Sequence, residues 1–358
     1  MSGSDIAAEL RKLVDELGRT GGPGLWDRLV GLGLHRVGVA EERGGSGGCL
    51  DDLLVVVETL AGHGAGVPIV EASVADWALG RAGLLAGGLT TILLLDEPVE
   101  APSDAELTSV PWARDADRLL LCAPGSAPLL VDLGHSSATV RNVDNIAGEP
   151  RDTVVLAGAP VTAVEGAPAY AEVRERLALL WSAAVLGAAH GAYRLSRTYV
   201  SEREQFGAPL LRIPAVADGL ARMRVQLVQA EAALALARDG GPSGGRADIA
   251  RITTAAAATE IARTAHQLHG AMGITAEYPL HRLTRRLWAW RDAVDSERGW
   301  AESLGRRAAG AGETGVWTDI TAGATAADHA TATSAAGATA PAATATATAA
   351  TTAADREG

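Results

Sequence analysis

The stretch Arg203-Glu204-Gln205-Phe206-Gly207-Ala208-Pro209-Leu210 decides the fold when it is read together with Gln267-Leu268-His269-Gly270-Ala271-Met272-Gly273-Ile274 and Glu277-Tyr278-Pro279-Leu280. The first segment reads as a helix running out into a Gly-Pro turn, with an arginine and an aromatic at its exit. That pairing suits a phosphate and a flat ring. The second reads as a helix C-terminus whose small residues let a ligand or another chain approach the backbone. Either segment alone is ordinary helix termination; their order and separation are what carry information.

Working outward, residues 169–202, 214–238 and 246–270 carry long helical patterns, and a shorter one runs over 281–291. Helices about two to three times the usual mean length pack as a bundle rather than as isolated surface elements. Gly240-Gly241-Pro242-Ser243-Gly244-Gly245 breaks the second from the third. Upstream, residues 91–95, 118–122, 129–131 and 153–156 are short apolar runs bounded by turn residues, which predict strands. Before them, apolar positions at helical spacing predict helices over residues 4–18, 25–31, around Leu53 to Leu60, and 72–85. The expected architecture is therefore α+β, mainly α. An N-terminal helical domain (1–88) precedes a small middle β domain (89–165), a C-terminal four-helix bundle (166–307) and an Ala/Thr-rich tail (308–358). The tail has almost no large apolar residues and is expected to be disordered.

Composition excludes several classes. The 358 residues carry a formal net charge of −12, with Lys12 as the only lysine, which argues against binding a phosphate backbone and so against nucleic acid. Two cysteines, Cys49 and Cys122, are too few for a disulfide framework or a four-thiolate zinc site, and they suit a reduced cytoplasm. No apolar run is long enough for a membrane span, and the N-terminus does not read as a signal sequence. Gly44-Gly45-Ser46-Gly47-Gly48 matches a nucleophile-elbow pattern, but Glu41-Glu42-Arg43 precedes it instead of a strand, so it reads as a turn. His266 and His269 are three apart on a helix with no further ligands in a recognisable pattern, so no metal site is expected.

The paired C-terminal segments resemble the acyl-CoA dehydrogenase family. In that family the first reads R-x-Q-F-G-x-P-L and the second Q-x-x-G-G-x-G followed by an E-x-P turn. The likeness extends upstream through Leu32-Gly33-Leu34, Val37-Gly38-Val39 and residues 41–47, then Val110–Asp117 and Ala147–Arg151, and covers about residues 5–307. The resemblance implies an FAD enzyme that dehydrogenates an acyl-CoA thioester. A carboxylate takes the α proton and the β hydrogen leaves as hydride to the flavin. It also implies that Arg203, Gln205 and Phe206 contact the pyrophosphate and adenine side of FAD, usually from a neighbouring subunit, and that Gln267, Gly270 and Gly273 line the same cofactor. Ala271 stands where the family usually has glycine. An oligomer and an electron-transferring flavoprotein as acceptor follow from the same resemblance.

Two departures qualify these implications. Counting from the motifs, the family's catalytic carboxylate falls at Leu177 or at Val294, and neither is an acid; Glu175, Asp295 and Glu297 are the nearest carboxylates. The β region also lacks the T-E-x-x-A-G-S-D-like segment that seats the flavin and thioester. Both features resemble the partner subunits of heteromeric acyl-CoA dehydrogenases. Three readings stand: a self-sufficient FAD-dependent acyl-CoA dehydrogenase, a non-catalytic or half-site subunit needing a related chain, and a cofactor-free scaffold of the same fold.

Overall fold

The computed structural model describes residues 3–98, 102–239 and 245–336. Four helices open the chain: α1 (Gly3–Thr20), α2 (Leu25–Gly31), α3 (Leu50–Gly62) and α4 (Ile69–Arg81). The Cys49 N–H donates to Asp52 Oδ2 at 2.9 Å, satisfying an otherwise orphaned amide at the start of α3. Helix α4 starts three residues earlier than its pattern predicts, directly after Pro68, whose φ suits a helix entrance, and ends at Arg81, just ahead of Gly83 at φ 72°.

Seven strands follow, against the four runs expected: β1 (Thr90–Leu94), β2 (Glu106–Pro111), β3 (Arg118–Cys122), β4 (Leu129–Asp132), β5 (Ala138–Arg141), β6 (Arg151–Leu156) and β7 (Val161–Ala163). They form a four-stranded sheet in the order β1-β3-β4-β7, with β1 and β3 parallel, and an antiparallel sheet β2-β6-β5. The three strands that were not foreseen are those without a regular apolar alternation. β2 is interrupted by a bulge between Leu107 and Val110, β5 is short and mostly polar, and β7 has three residues. The faces of both sheets bury Leu107, Val110, Leu119, Leu121, Val131 and Val154 in one small core.

The C-terminal bundle consists of α5 (Tyr170–Glu202), α6 (Pro214–Asp239), α7 (Arg246–His269) and α8 (Leu280–Arg291), and α9 (Glu297–Ala336) leans on α7. Residues 240–244 of the expected helix break lie outside the described residues. Helix α3 packs against α5 at two glycines. A Cβ on Gly187 would stand 2.1 Å from the Glu58 carbonyl oxygen, and one on Gly191 2.5 Å from that of Gly62. Ala178 meets Ala247 at one end of the α5–α7 pair, and Tyr199 meets His269 at the other. The two helices therefore run parallel, and their C-termini emerge together. The tail expectation is corrected as far as Ala336: α9 continues through residues 308–336 with a break at Gly312 (φ 67°). Alanine, the strongest intrinsic helix former, is abundant over this stretch. Residues 337–358 lie outside the described residues.

Candidate functional site

At the shared C-terminal end of α5 and α7, Arg203 terminates α5 with its N–H bonded to the Tyr199 carbonyl at 2.9 Å. The chain then makes a two-residue hairpin, β8 (Glu204–Gln205) against β9 (Ala208–Pro209), closed by Phe206 at φ 57° and Gly207 at φ 81°. Positive φ at both central residues is the type I′ geometry, which normally selects Asn-Gly. Phenylalanine in that first position is strained, and its ring is 92% exposed. Arg203 and Gln205 are exposed beside it. Helix α7 ends at Gly270, whose φ of 57° favours glycine and whose missing Cβ opens onto free space; Gln267 is also exposed. Gly273 differs, since it is buried and a Cβ there would stand 2.9 Å from the His269 Cβ. Five of the six residues singled out from the motifs thus reach the surface at one end of the bundle, while Gly273 packs inward beneath them. His266 and His269 are held by packing: His266 Nε2 lies 2.8 Å from Thr284 Oγ1, and His269 Nδ1 lies 2.8 Å from the Ala265 carbonyl. The described residues hold no cluster of three or more metal-ligating side chains.

A second feature lies at the other end of α5. A cleft of about 550 Å³ opens between the β region, α4, the start of α5 and the end of α8. Leu177 and Val294, the two alternative positions at which the family resemblance implies a carboxylate, both line it. Both side chains are apolar, in a cleft whose lining is otherwise mixed polar and apolar. Glu175, Asp295 and Glu297 are not among the lining residues. Asp295 accepts the Ser296 N–H at 2.7 Å and faces Arg174 at 3.9 Å, while Glu297 is exposed in the first turn of α9. Glu175 is half-buried, and burial pushes its pKa up, with the Arg307 charge as the largest opposing influence.

The acids that do face the cleft are Glu71, Asp144 and Asp292. Asp144 is paired with Arg114 and Asp292 with Arg291, at 2.9 and 2.7 Å. Glu71 was not foreseen. It is 2% exposed, its Oε1 accepts no hydrogen bond, and Arg151 stands 3.4 Å away. Burial raises its pKa, and Arg151 opposes the rise. The one sequence signal that could have found it is an acid inside the apolar run Ile69-Val70-Glu71-Ala72. The far wall is fixed by Arg251, fully buried, whose Nη2 donates to the carbonyls of Trp290, Arg291 and Ala293 at 3.0, 2.8 and 3.3 Å. Among the described residues, four non-glycine residues have positive φ: Ser109, Trp112, Phe206 and Val294. Ser109 and Val294 line the cleft, Trp112 follows Pro111 at its rim, and Phe206 tips the hairpin. Strain of this kind collects at functional sites.

The sequence model of the acyl-CoA dehydrogenase C-terminal domain matches residues 173–291, the bundle that carries both features. This chain has the acyl-CoA dehydrogenase fold. Acyl-CoA dehydrogenase FadE34 of Mycobacterium tuberculosis is 30% identical over 277 residues, which is 72% of this chain and 38% of that protein. The chain therefore spans well under half of that relative. Acyl-CoA dehydrogenase FadE28 of the same organism is 29% identical over 291 residues, 72% of this chain and 84% of that protein. Among solved structures, the ChsE4-ChsE5 complex from Mycobacterium tuberculosis superposes with a TM-score of 0.75 at 21% identity, covering 86% of this chain and 97% of that one. The acyl-CoA dehydrogenase order of helical region, β region and helical bundle is the order found in this chain. No helix among the described residues is long and apolar enough to cross a membrane.

Proposed function

We propose that the chain is a half-site subunit of a heteromeric acyl-CoA dehydrogenase. Its hairpin completes an FAD site on a related neighbouring chain, and that neighbour carries the catalytic base. One contrast supports this reading: the cleft holds Leu177 and Val294 where a base is expected, while the hairpin presents Arg203, Gln205 and Phe206 outward. The donor set fits a dinucleotide. A guanidinium suits its phosphates, an exposed ring suits stacking, and the bare backbone at Gly270 allows close approach. FAD, when bound, accepts the hydride that leaves an acyl-CoA. From Leu177 to Arg203 is about 39 Å along α5, at 1.5 Å per residue. The hairpin and the cleft of one chain are thus too far apart to grip the same cofactor, which is why a second chain is needed. By the family resemblance, an electron-transferring flavoprotein takes the electrons onward from the assembly.

The test is visible absorbance. Purified alone, the chain is expected to be colourless; co-expressed with a related base-bearing chain, it is expected to co-purify with flavin that an acyl-CoA bleaches. Arg203→Ala in the complex is expected to weaken flavin retention by about tenfold to a hundredfold, the range for a charge-assisted hydrogen bond. Unchanged flavin occupancy would remove Arg203 from the site. Glu71 favours a second reading, in which the chain is self-sufficient and this buried cleft acid is the base. A flavin band in the chain alone, bleached by an acyl-CoA and silenced by Glu71→Gln, would establish it.

A further inference from the structure

The three sequence segments that mark this fold meet in one stack of rings. Tyr199 lies one turn before Arg203, His269 directly precedes Gly270, and Tyr278 sits in the Glu277-Tyr278-Pro279 turn. The His269 imidazole stacks on the Tyr199 ring at 4.5 Å and 23°. Tyr278 closes on His269 at 5.0 Å and meets Tyr199 edge-on at 5.8 Å. His269 is 3% exposed. Because its Nδ1 faces the Ala265 carbonyl at 2.8 Å, the proton sits on Nδ1. Burial lowers its pKa, so the ring is neutral.

We infer that His269 is a positioning residue. Its ring, oriented by the Ala265 carbonyl and stacked on Tyr199, fixes the angle between the exposed hairpin and the Gly270 turn, so that Arg203, Gln205, Phe206 and Gln267 present one surface. The base of the hairpin is tied down by Leu210, whose N–H donates to the Arg203 carbonyl at 2.8 Å and whose side chain packs on the core, but its tip is free. The hairpin is a four-residue ladder projecting beyond the end of α5, with exposed residues from Arg203 to Gly207, and its direction is inherited from the last turn of α5 at Tyr199. The Gly270 turn inherits its direction from the last residue of α7, which is His269 itself. A contact between those two helix ends is therefore the shortest mechanical link between the two segments. Tyr278 extends the link to the start of α8. Aromatic pairs of this geometry contribute enough to bias a short hairpin toward one orientation.

This inference rests on the reading of the hairpin as a cofactor clamp, and the experiment separates the two. In the complex with the related chain, flavin affinity is measured by fluorescence titration for His269→Ala, His269→Phe and Phe206→Ala. His269→Ala is expected to raise the flavin dissociation constant about tenfold, and His269→Phe, which restores a stacking ring, to return most of that loss. In the isolated chain, trypsin cleavage after Arg203 is expected to accelerate several-fold in His269→Ala and to return toward the wild-type rate in His269→Phe. Tyr278→Ala, at a less buried position, is the second variant should His269→Ala fail to fold. Its loss of flavin affinity is expected to exceed that of Leu29→Ala, a core variant far from the stack chosen to match its thermal destabilisation. If Phe206→Ala abolishes flavin binding while His269→Ala and Tyr278→Ala retain it, the positioning role is overturned and the clamp stands. If Phe206→Ala leaves flavin untouched, the clamp itself is wrong. Equal flavin loss in Leu29→Ala and the stack variants would reduce the stack to ordinary packing.

Discussion

Phe206 offers a test in which stability and function move in opposite directions. Its backbone sits at φ 57°, a conformation that costs a non-glycine residue about 1–2 kcal/mol, yet its ring touches little of its own chain, being 92% exposed. Phe206→Ala keeps the Cβ and hence the strain, and removes a ring that the isolated chain hardly packs. Its urea midpoint is expected to stay within about 0.5 kcal/mol of wild type. Phe206→Gly releases the strain but gives the unfolded chain more freedom, for a net stabilisation of about 0.5–1 kcal/mol. In the flavin-bearing complex both variants lose the same ring. Burying a phenylalanine contributes about 1.5–3 kcal/mol, so flavin affinity should fall by roughly tenfold to a hundredfold in each. The assays are urea unfolding of the isolated chain and flavin titration of the complex. Destabilisation of the isolated chain by more than about 1 kcal/mol in Phe206→Ala would show that the ring serves its own fold and would refute the reasoning.

Two further predictions concern the other end of the molecule. Val294 is β-branched at φ 74°, so Val294→Gly is expected to stabilise the chain by about 1 kcal/mol, read from the urea midpoint; a loss of stability would mean that side-chain packing outweighs backbone strain there. Within α4, buried Asp76 has its pKa pushed up to about 6 by desolvation, against its bond to Arg36, while desolvation holds His35, whose Nε2 lies 3.6 Å from Asp76 Oδ2, down at about 4. A raised acid contributes stability that is lost as pH rises from about 4 to 6. A depressed histidine contributes stability that is lost as pH falls from about 6.5 to 4. The two slopes oppose each other, so wild-type stability should be nearly flat across this window. Asp76→Asn should leave stability rising with pH, and His35→Gln should leave it falling, each by about 2 kcal/mol once solvent screening is allowed for. Parallel slopes in the two variants would contradict the assignment.

Much of this molecule is legible in its sequence because its bundle helices are long enough for periodicity to average out local noise. The family resemblance offered Leu177 and Val294 as alternative positions for a base, and the fold brings both to the same cleft. What stayed hidden has physical reasons. A Phe-Gly pair does not announce a left-handed turn, because the strain is imposed by the hairpin and not by any preference of phenylalanine. The bulge in β2 breaks the alternation by which a strand is recognised, and it is the bulge that turns Ser109 into the cleft. Glu71 lies on a helix so uniformly buried that no polar face directs attention to it. An alanine-rich segment reads as core-free, which says nothing about whether it coils into a helix, as α9 does to Ala336.

The separation between hairpin and cleft has an energetic consequence that bears on the half-site reading. Substitutions more than about 10 Å apart with no shared partner act additively, and Leu177 stands about 38 Å from the end of α5 at Glu202, with Phe206 in the hairpin beyond it. Leu177 is 3% exposed, so Leu177→Glu places a charge among Trp181, Val294 and the already crowded Glu71, and it should lower the stability of the isolated chain by about 2–4 kcal/mol. Where the complex still assembles, flavin affinity should be unchanged by Leu177→Glu, and the double variant with Phe206→Ala should bind flavin as Phe206→Ala does. Additivity is what a division of labour requires. In the proposed half-site subunit, one end of α5 would serve a neighbour's cofactor, while the other end closes a cleft lined by Leu177 and Val294. Coupling between the two variants in flavin affinity would mean that hairpin and cleft hold the same cofactor within one assembly, and would favour the self-sufficient enzyme.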